Sequence, residues 1–161
     1  MASALVTGGA GFIGSHLVES LLAGGWQVKA LDDFSTGRVE NLAGVVGRSD
    51  LEVVRGDILD AKVLMKAMKD VDVVFHEAAV VSQAMSVEEP LKVNRVNVEG
   101  TLTVLEASRK AQVERFVYAS SCSIYGEAKE LPTGEDAPLA PLDPYAASKA
   151  ACEHYCLAFQ K

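Results

Sequence analysis

Val6-Thr7-Gly8-Gly9-Ala10-Gly11-Phe12-Ile13-Gly14 decides how the rest of this 161-residue chain is read. Ahead of it, Ser3 to Thr7 is a short apolar run that reads as a buried strand. Behind it, Phe12, Ile13, Leu17, Val18, Leu21 and Leu22 recur at helical spacing up to Ala23, and Gly24-Gly25 stops the helix. Strand, glycine turn and helix together present free backbone N–H groups and the positive end of a helix to a phosphate. The glycines fit two registers, Gly9-x-Gly11-x-x-Gly14 and Gly8-x-x-Gly11-x-x-Gly14. Either allows a tight turn, a close approach to a pyrophosphate and close packing of helix on sheet.

The length is that of one domain with a real core. Nearly half the residues are apolar, yet no window approaches a membrane span, and the N-terminus lacks the basic start of a signal peptide. A formal charge of −7 argues against nucleic acid or an anionic membrane as partner. An anionic cofactor is still compatible, because helix ends and backbone amides bind phosphate without net positive charge. Three cysteines (Cys122, Cys152, Cys156) without framework spacing point to a reducing, cytoplasmic setting. Cys152, His154 and Cys156 do not make a metal site, since position i+2 on a helix points away from i and i+4.

Gln27 to Asp32 reads as a second strand ending in two acids, Asp32 and Asp33. Asp32 lies 21 positions after Gly11, close to the spacing at which a carboxylate meets an adenosine ribose. Such a carboxylate accepts from both ribose hydroxyls and repels a 2′-phosphate, which favours NAD over NADP, and Arg38 is the nearby cation that could offset it. Phe34 to Arg38 is a loop, and Val39 to Leu42 make one helical turn. Leu51 to Arg55 is a third strand followed by Gly56-Asp57-Ile58, and Asp60 caps a helix through Val63, Leu64, Ala67 and Met68.

Val71 to Phe75 reads as a fourth strand leading into His76-Glu77-Ala78-Ala79, whose small residues let a flat ligand lie against the backbone. His76, at the strand end, reads as a structural imidazole. After Pro90 one long helix is expected through Val93, Val96, Asn97, Thr101, Val104, Leu105 and Ala107, and buried Asn97 needs either a loop or a ligand as partner. Arg115 to Ser120 is a fifth strand, ending in the polar cluster Ser120-Ser121-Cys122-Ser123. Leu131 to Pro144 is a loop, and Pro144 opens the last helix.

That helix carries Tyr145-Ala-Ala-Ser-Lys149, whose outer pair, four apart, shares a face. A phenol ordinarily titrates near about 10 and is a poor base at neutral pH. A neighbouring ammonium stabilises a phenolate, and an oxidised nicotinamide ring adds to this. The order strand–helix–strand–strand–helix–strand–helix–strand–helix predicts an α/β fold, a doubly wound parallel sheet of order 3-2-1-4-5.

Seven motifs now stand in order: Thr7 to Gly14, Asp32-Asp33, Gly56-Asp57-Ile58, His76 to Ala79, Asn97-Val-Glu-Gly-Thr101, Ser120-Ser-Cys-Ser-Ile-Tyr-Gly126 and Tyr145 to Lys149. Together they resemble the extended branch of the short-chain dehydrogenase/reductases, and within it the NAD-dependent nucleotide-sugar epimerase/dehydratase family. The resemblance covers essentially the whole chain. It implies that Gly8, Gly11, Phe12, Ile13 and Gly14 hold the pyrophosphate of NAD. It puts Asp32, Asp33, Ser35, Thr36 and Gly37 on the adenosine ribose, Asp57 and Ile58 on adenine, and Ala78, Ala79 and Asn97 along the nicotinamide half. Ser121 matches the catalytic Ser/Thr, Tyr145 the base and Lys149 its partner on the cofactor ribose; Ser123 would face the sugar, and no metal is implied.

Two departures bear on the chemistry. Dehydratases of this branch follow the Ser/Thr with an Asp-Glu pair, and here those positions are Cys122 and Ser123, which disfavours elimination of water. Glu77 replaces a usual apolar residue, and nothing in the sequence accounts for it. The resemblance therefore implies epimerisation of a UDP-hexose at C4, with UDP-glucose and UDP-galactose foremost and a homodimer as the full-length enzyme. Two alternatives stay open: an inactive NAD-binding fragment, and another dehydratase or reductase of the family. Because members of the family continue past the catalytic helix, residues 1–161 are expected to be the NAD-binding part, without the C-terminal substrate domain.

Overall fold

The computed structural model describes residues 2–128 and 130–160; Met1, Lys129 and Lys161 lie outside the described residues. The chain divides into two compact units, Met1–Ala79 with Thr103–Ala119, and Val80–Leu102 with Ser120–Lys161.

The first unit is built on five parallel strands: β1 (Ser3–Thr7), β2 (Gln27–Asp32), β3 (Leu51–Arg55), β4 (Val73–His76) and β5 (Arg115–Tyr118). Their order is β3-β2-β1-β4-β5, the expected doubly wound arrangement, and it makes the fold Rossmann-like. Leu5 of β1 is flanked in register by Lys29 of β2 and Val74 of β4, so β1 is central and its residues 4–7 are buried. Edge strands β3 and β5 keep the more exposed patterns.

Helix α1 (Phe12–Ala23) packs Val18 and Leu22 onto Val6, Val28 and Ala30, and Leu42 from a 3₁₀ turn at Val39–Leu42 closes the same core. Helix α2 (Ala61–Ala67) starts where expected, because the Asp60 carboxylate accepts the Lys62 and Val63 amides. Strand β4 begins at Val73 rather than Val71: the Val71 amide instead closes the turn after α2 onto Met68 O, and the Asp72 carboxylate takes the Ser3 amide and hydroxyl. Strand β5 ends at Tyr118, opposite His76, two residues short of expectation.

The second unit is helical. Helix α3 (Gln83–Glu88), capped by Ser82, was not foreseen in the sequence. Glu89, at φ −128° and ψ 58°, breaks it from α4 (Pro90–Asn94). The expected single helix is then interrupted by a π turn, Arg95–Glu99, before α5 (Gly100–Ala111), whose residues from Thr103 onward belong to the first unit. A 3₁₀ turn follows Ser121 (Cys122–Tyr125), and α6 (Pro144–Ala158) starts at Pro144 behind an Asp143 cap. Helix α6 packs on α3, α4 and the π turn. Among the described residues no helix is long and apolar enough to cross a membrane.

Candidate functional site

The glycine turn is shaped by close backbone approaches that leave no room for side chains. Gly8 has φ +66°, and a Cβ there would lie 2.8 Å from the Ala78 nitrogen. A Cβ on Gly14 would run into the Gly8 carbonyl, so loop and helix close together only with glycine at both places. Helix α1 has no side-chain cap and no acid in its first turn, whereas Asp60, Ser82 and Asp143 cap α2, α3 and α6. Phe12 and Ile13 stand 79% and 64% exposed over that open end. An uncapped first turn with its N–H groups pointing outward is what a pyrophosphate requires.

Asp32 completes the fit to a dinucleotide. Its carboxylate is 6% exposed; Oδ2 accepts the Ala10 amide at 2.9 Å and Oδ1 the Phe34 amide at 2.8 Å. These two donors hold the acid rigidly, and each oxygen keeps a lone pair for a ribose hydroxyl. Gly37 backs onto the same carboxylate. The Asp33 carboxylate is turned to Ser35, accepting from its amide at 2.8 Å and its hydroxyl at 2.7 Å, and Ser35 and Thr36 are exposed. Asp57 accepts the Leu59 amide at 2.9 Å in the turn after β3, and Ile58 is buried.

One neighbour of this cluster escaped the sequence reading. Arg55, in register with Asp32, stacks its guanidinium 5.5 Å over the Phe34 ring, and Phe34 sits at φ +61°. It is a second cation beside Asp32 in addition to Arg38, and only strand pairing reveals it.

Ala78 and Ala79 follow β4, and the Ala78 amide donates to Thr7 Oγ1 at 3.2 Å. His76, 1% exposed, is the structural imidazole expected, with Nδ1 2.7 Å from Thr7 Oγ1.

In the second unit, Tyr145 and Lys149 are brought together on α6, 8% and 4% exposed, with the ammonium 6.0 Å from the ring centroid. Asn97, in the π turn and 1% exposed, finds a loop as its partner: Oδ1 accepts the Val80 amide at 2.8 Å and Nδ2 donates to the Val80 carbonyl at 3.0 Å. Its Nδ2 also donates to Ser148 Oγ at 3.0 Å, and Ser148 in turn donates to the Tyr145 carbonyl at 2.7 Å. The Cys152 thiol donates to the Asn97 carbonyl at 3.2 Å. Ser148 was missed, although it lies inside the Tyr-x-x-x-Lys motif, because its partner Asn97 is far off in sequence. Ser121 and Ser123 share a hydroxyl–hydroxyl bond of 2.8 Å, and Ser121 Oγ accepts the Ser123 amide at 3.2 Å.

Cys152, His154 and Cys156 do not converge, and no metal-binding group of three occurs among the described residues. Burial, aided by Cys152 and Glu153, pushes the Cys156 thiol up to about 11.

Residues 4–161 match the NAD dependent epimerase/dehydratase family. A UDP-glucose 4-epimerase of Mycolicibacterium smegmatis is 47% identical over 154 residues, which cover 94% of this chain and 49% of that protein. The solved UDP-N-acetylglucosamine 4-epimerase of Methanobrevibacter ruminantium superposes with a TM-score of 0.93 at 39% identity, over 98% of this chain and 50% of that one. A dTDP-glucose 4,6-dehydratase from Streptomyces venezuelae with NAD bound gives the same score and identity, over 98% and 51%. The chain thus spans about half the length of the relatives it matches. Its fold, its glycine turn and the match along nearly its whole length make it a member of the NAD-dependent epimerase/dehydratase family.

Proposed function

We propose that this chain is the cofactor-binding part of a nucleotide-sugar epimerase that inverts C4 of a UDP-hexose, with UDP-glucose and UDP-galactose foremost. Fold cannot separate epimerase from dehydratase, since one of each is equally similar. The observation that carries the choice is Cys122-Ser123 after Ser121: no carboxylic acid occupies the positions from which a dehydratase protonates a leaving hydroxyl.

The open first turn of α1, the glycine approach and the buried Asp32 fit NAD, the cofactor of the family. Gly8, Gly11, Phe12, Ile13 and Gly14 would hold its pyrophosphate; Asp32 with Asp33 to Gly37 its adenosine ribose; Asp57 and Ile58 its adenine; Ala78, Ala79 and Asn97 its nicotinamide half. When bound, NAD supplies a hydride acceptor that later returns the hydride.

Tyr145 takes the proton of the C4 hydroxyl at its phenolic oxygen and gives it back after the 4-keto sugar turns over. Lys149 supplies the positive charge beside it and a donor to the cofactor ribose. Ser121 donates to the oxygen on which charge develops, an interaction stronger in the transition state than in the ground state. Ser123, bonded to Ser121, orients that hydroxyl and faces the sugar. The free cysteines agree with a reducing compartment, and a homodimer is the assembly proposed.

Product analysis tests this. Incubation of the full-length enzyme with UDP-galactose and NAD, followed by NMR, should yield UDP-glucose without accumulation of NADH. A 4-keto-6-deoxy sugar would make the protein a dehydratase, and stoichiometric NADH a dehydrogenase.

A further inference from the structure

The carboxyl ends of β1 and β4 mark the point at which the strand order reverses, and a buried polar pair joins them there. Thr7 is fully buried, and His76 nearly so. Thr7 Oγ1 lies 2.7 Å from His76 Nδ1 and accepts the Ala78 amide at 3.2 Å. The backbone reinforces the link, with the Glu77 amide on the Thr7 carbonyl and the Ala119 amide on the His76 carbonyl, both at 3.2 Å. The rings of Phe116 and Tyr118, 5.7 and 5.9 Å away, fix the plane of the imidazole.

A hydroxyl has a single proton to donate. The Ala78 amide takes one of the two lone pairs of Oγ1, and Nδ1, 2.7 Å away, is placed to accept the Thr7 proton. With the Thr7 hydroxyl donating to Nδ1, His76 would be neutral and carry its hydrogen on Nε2. The amide that Thr7 holds is the one against which the glycine turn closes, since a Cβ on Gly8 would stand 2.8 Å from it.

We propose that His76 and Thr7 form a positioning lock for the cofactor cradle: His76 keeps the Thr7 hydroxyl turned so that it accepts the Ala78 amide, which fixes the spacing between the Gly8 turn and the Ala78-Ala79 backbone. The lock rests on the reading that NAD lies along that backbone. It acts on the pyrophosphate and nicotinamide half and leaves the adenosine half, held at Asp32, untouched.

The test is equilibrium titration of the 161-residue chain with NAD and with adenosine 5′-monophosphate, for the wild type, Thr7→Val and Thr7→Ser, with circular dichroism confirming the fold. Valine keeps the shape and removes the hydroxyl, so NAD affinity should fall about tenfold, the effect of leaving a buried partner unpaired. Affinity for the monophosphate should stay at the wild-type value, and serine should restore NAD binding. A folded Thr7→Val chain that binds NAD like wild type overturns the lock, as does a parallel loss for both ligands. A wild type that binds no NAD overturns the cofactor reading and the lock with it. The ¹⁵N spectrum of His76 in the wild type reads the hydrogen-bond direction whether or not the valine variant folds. A pyridine-type Nδ1 supports the lock, and a protonated Nδ1 overturns it.

Discussion

Tyr145 and Lys149 carry the proposed chemistry, and both are buried on the same face of α6. Tyr145→Phe removes only the hydroxyl, so folding and NAD affinity should hold while epimerisation falls by about 10²–10⁴-fold. Lys149→Ala should lower both turnover and NAD affinity, which separates the two roles in a paired kinetic and titration experiment. Two solvated side chains would instead shift stability within about ±0.5 kcal/mol and leave the rate alone. The pair was legible because spacing of four on a helix dictates a shared face. Ser148 was not, because its importance comes from Asn97, far off in sequence and on another element. Arg55 was invisible for the same reason: only the β2–β3 register sets it beside Asp32.

Among the elements, the starts of α2 at Asp60 and of α6 at Pro144 were readable and the interruptions were not. Pro144 announces α6 in the sequence, and the Asp143 carboxylate, which accepts the Ala146 amide at 2.8 Å, caps it in the structure. Asp143→Ala should cost about 1 kcal/mol in chemical denaturation. The π turn could not be read, since it holds Asn97 where its amide meets Val80, and no periodicity encodes that tertiary demand. Asn97→Leu should cost about 1–3 kcal/mol by leaving both Val80 groups unpaired, and a variant of wild-type stability would show that the clamp is unimportant. Cys156, also on α6, sets an alkaline limit. Its thiol is raised from 9.0 to about 11, so the folded state keeps a proton that the unfolded chain has lost. The associated stability is fully present below about pH 9 and is lost as pH rises through about 11. Thermal midpoints across that window should fall less steeply in Cys156→Ala than in the wild type.

For the molecule as a whole, strand order and fold class were legible because parallel strands separated by helices admit few right-handed windings. Strand ends were less so: Val71 and Asp72 continue an apolar-looking run, yet their polar groups are already committed to Met68 and Ser3. What remains is whether a chain of formal charge −7 selects an anionic dinucleotide, and which one. Asp32 sets a carboxylate against any 2′-phosphate, while Arg38 and Arg55 are the cations that could soften the repulsion. The carboxylate is buried and held by two amides, whereas both arginines are exposed and screened, so Asp32 should prevail. Calorimetric titration of the chain with NAD and NADP measures this directly. One NAD should bind per chain and NADP should bind about tenfold or more weakly, with the difference abolished in Asp32→Ala. Equal affinities for the two dinucleotides, or no binding of NAD, would contradict this.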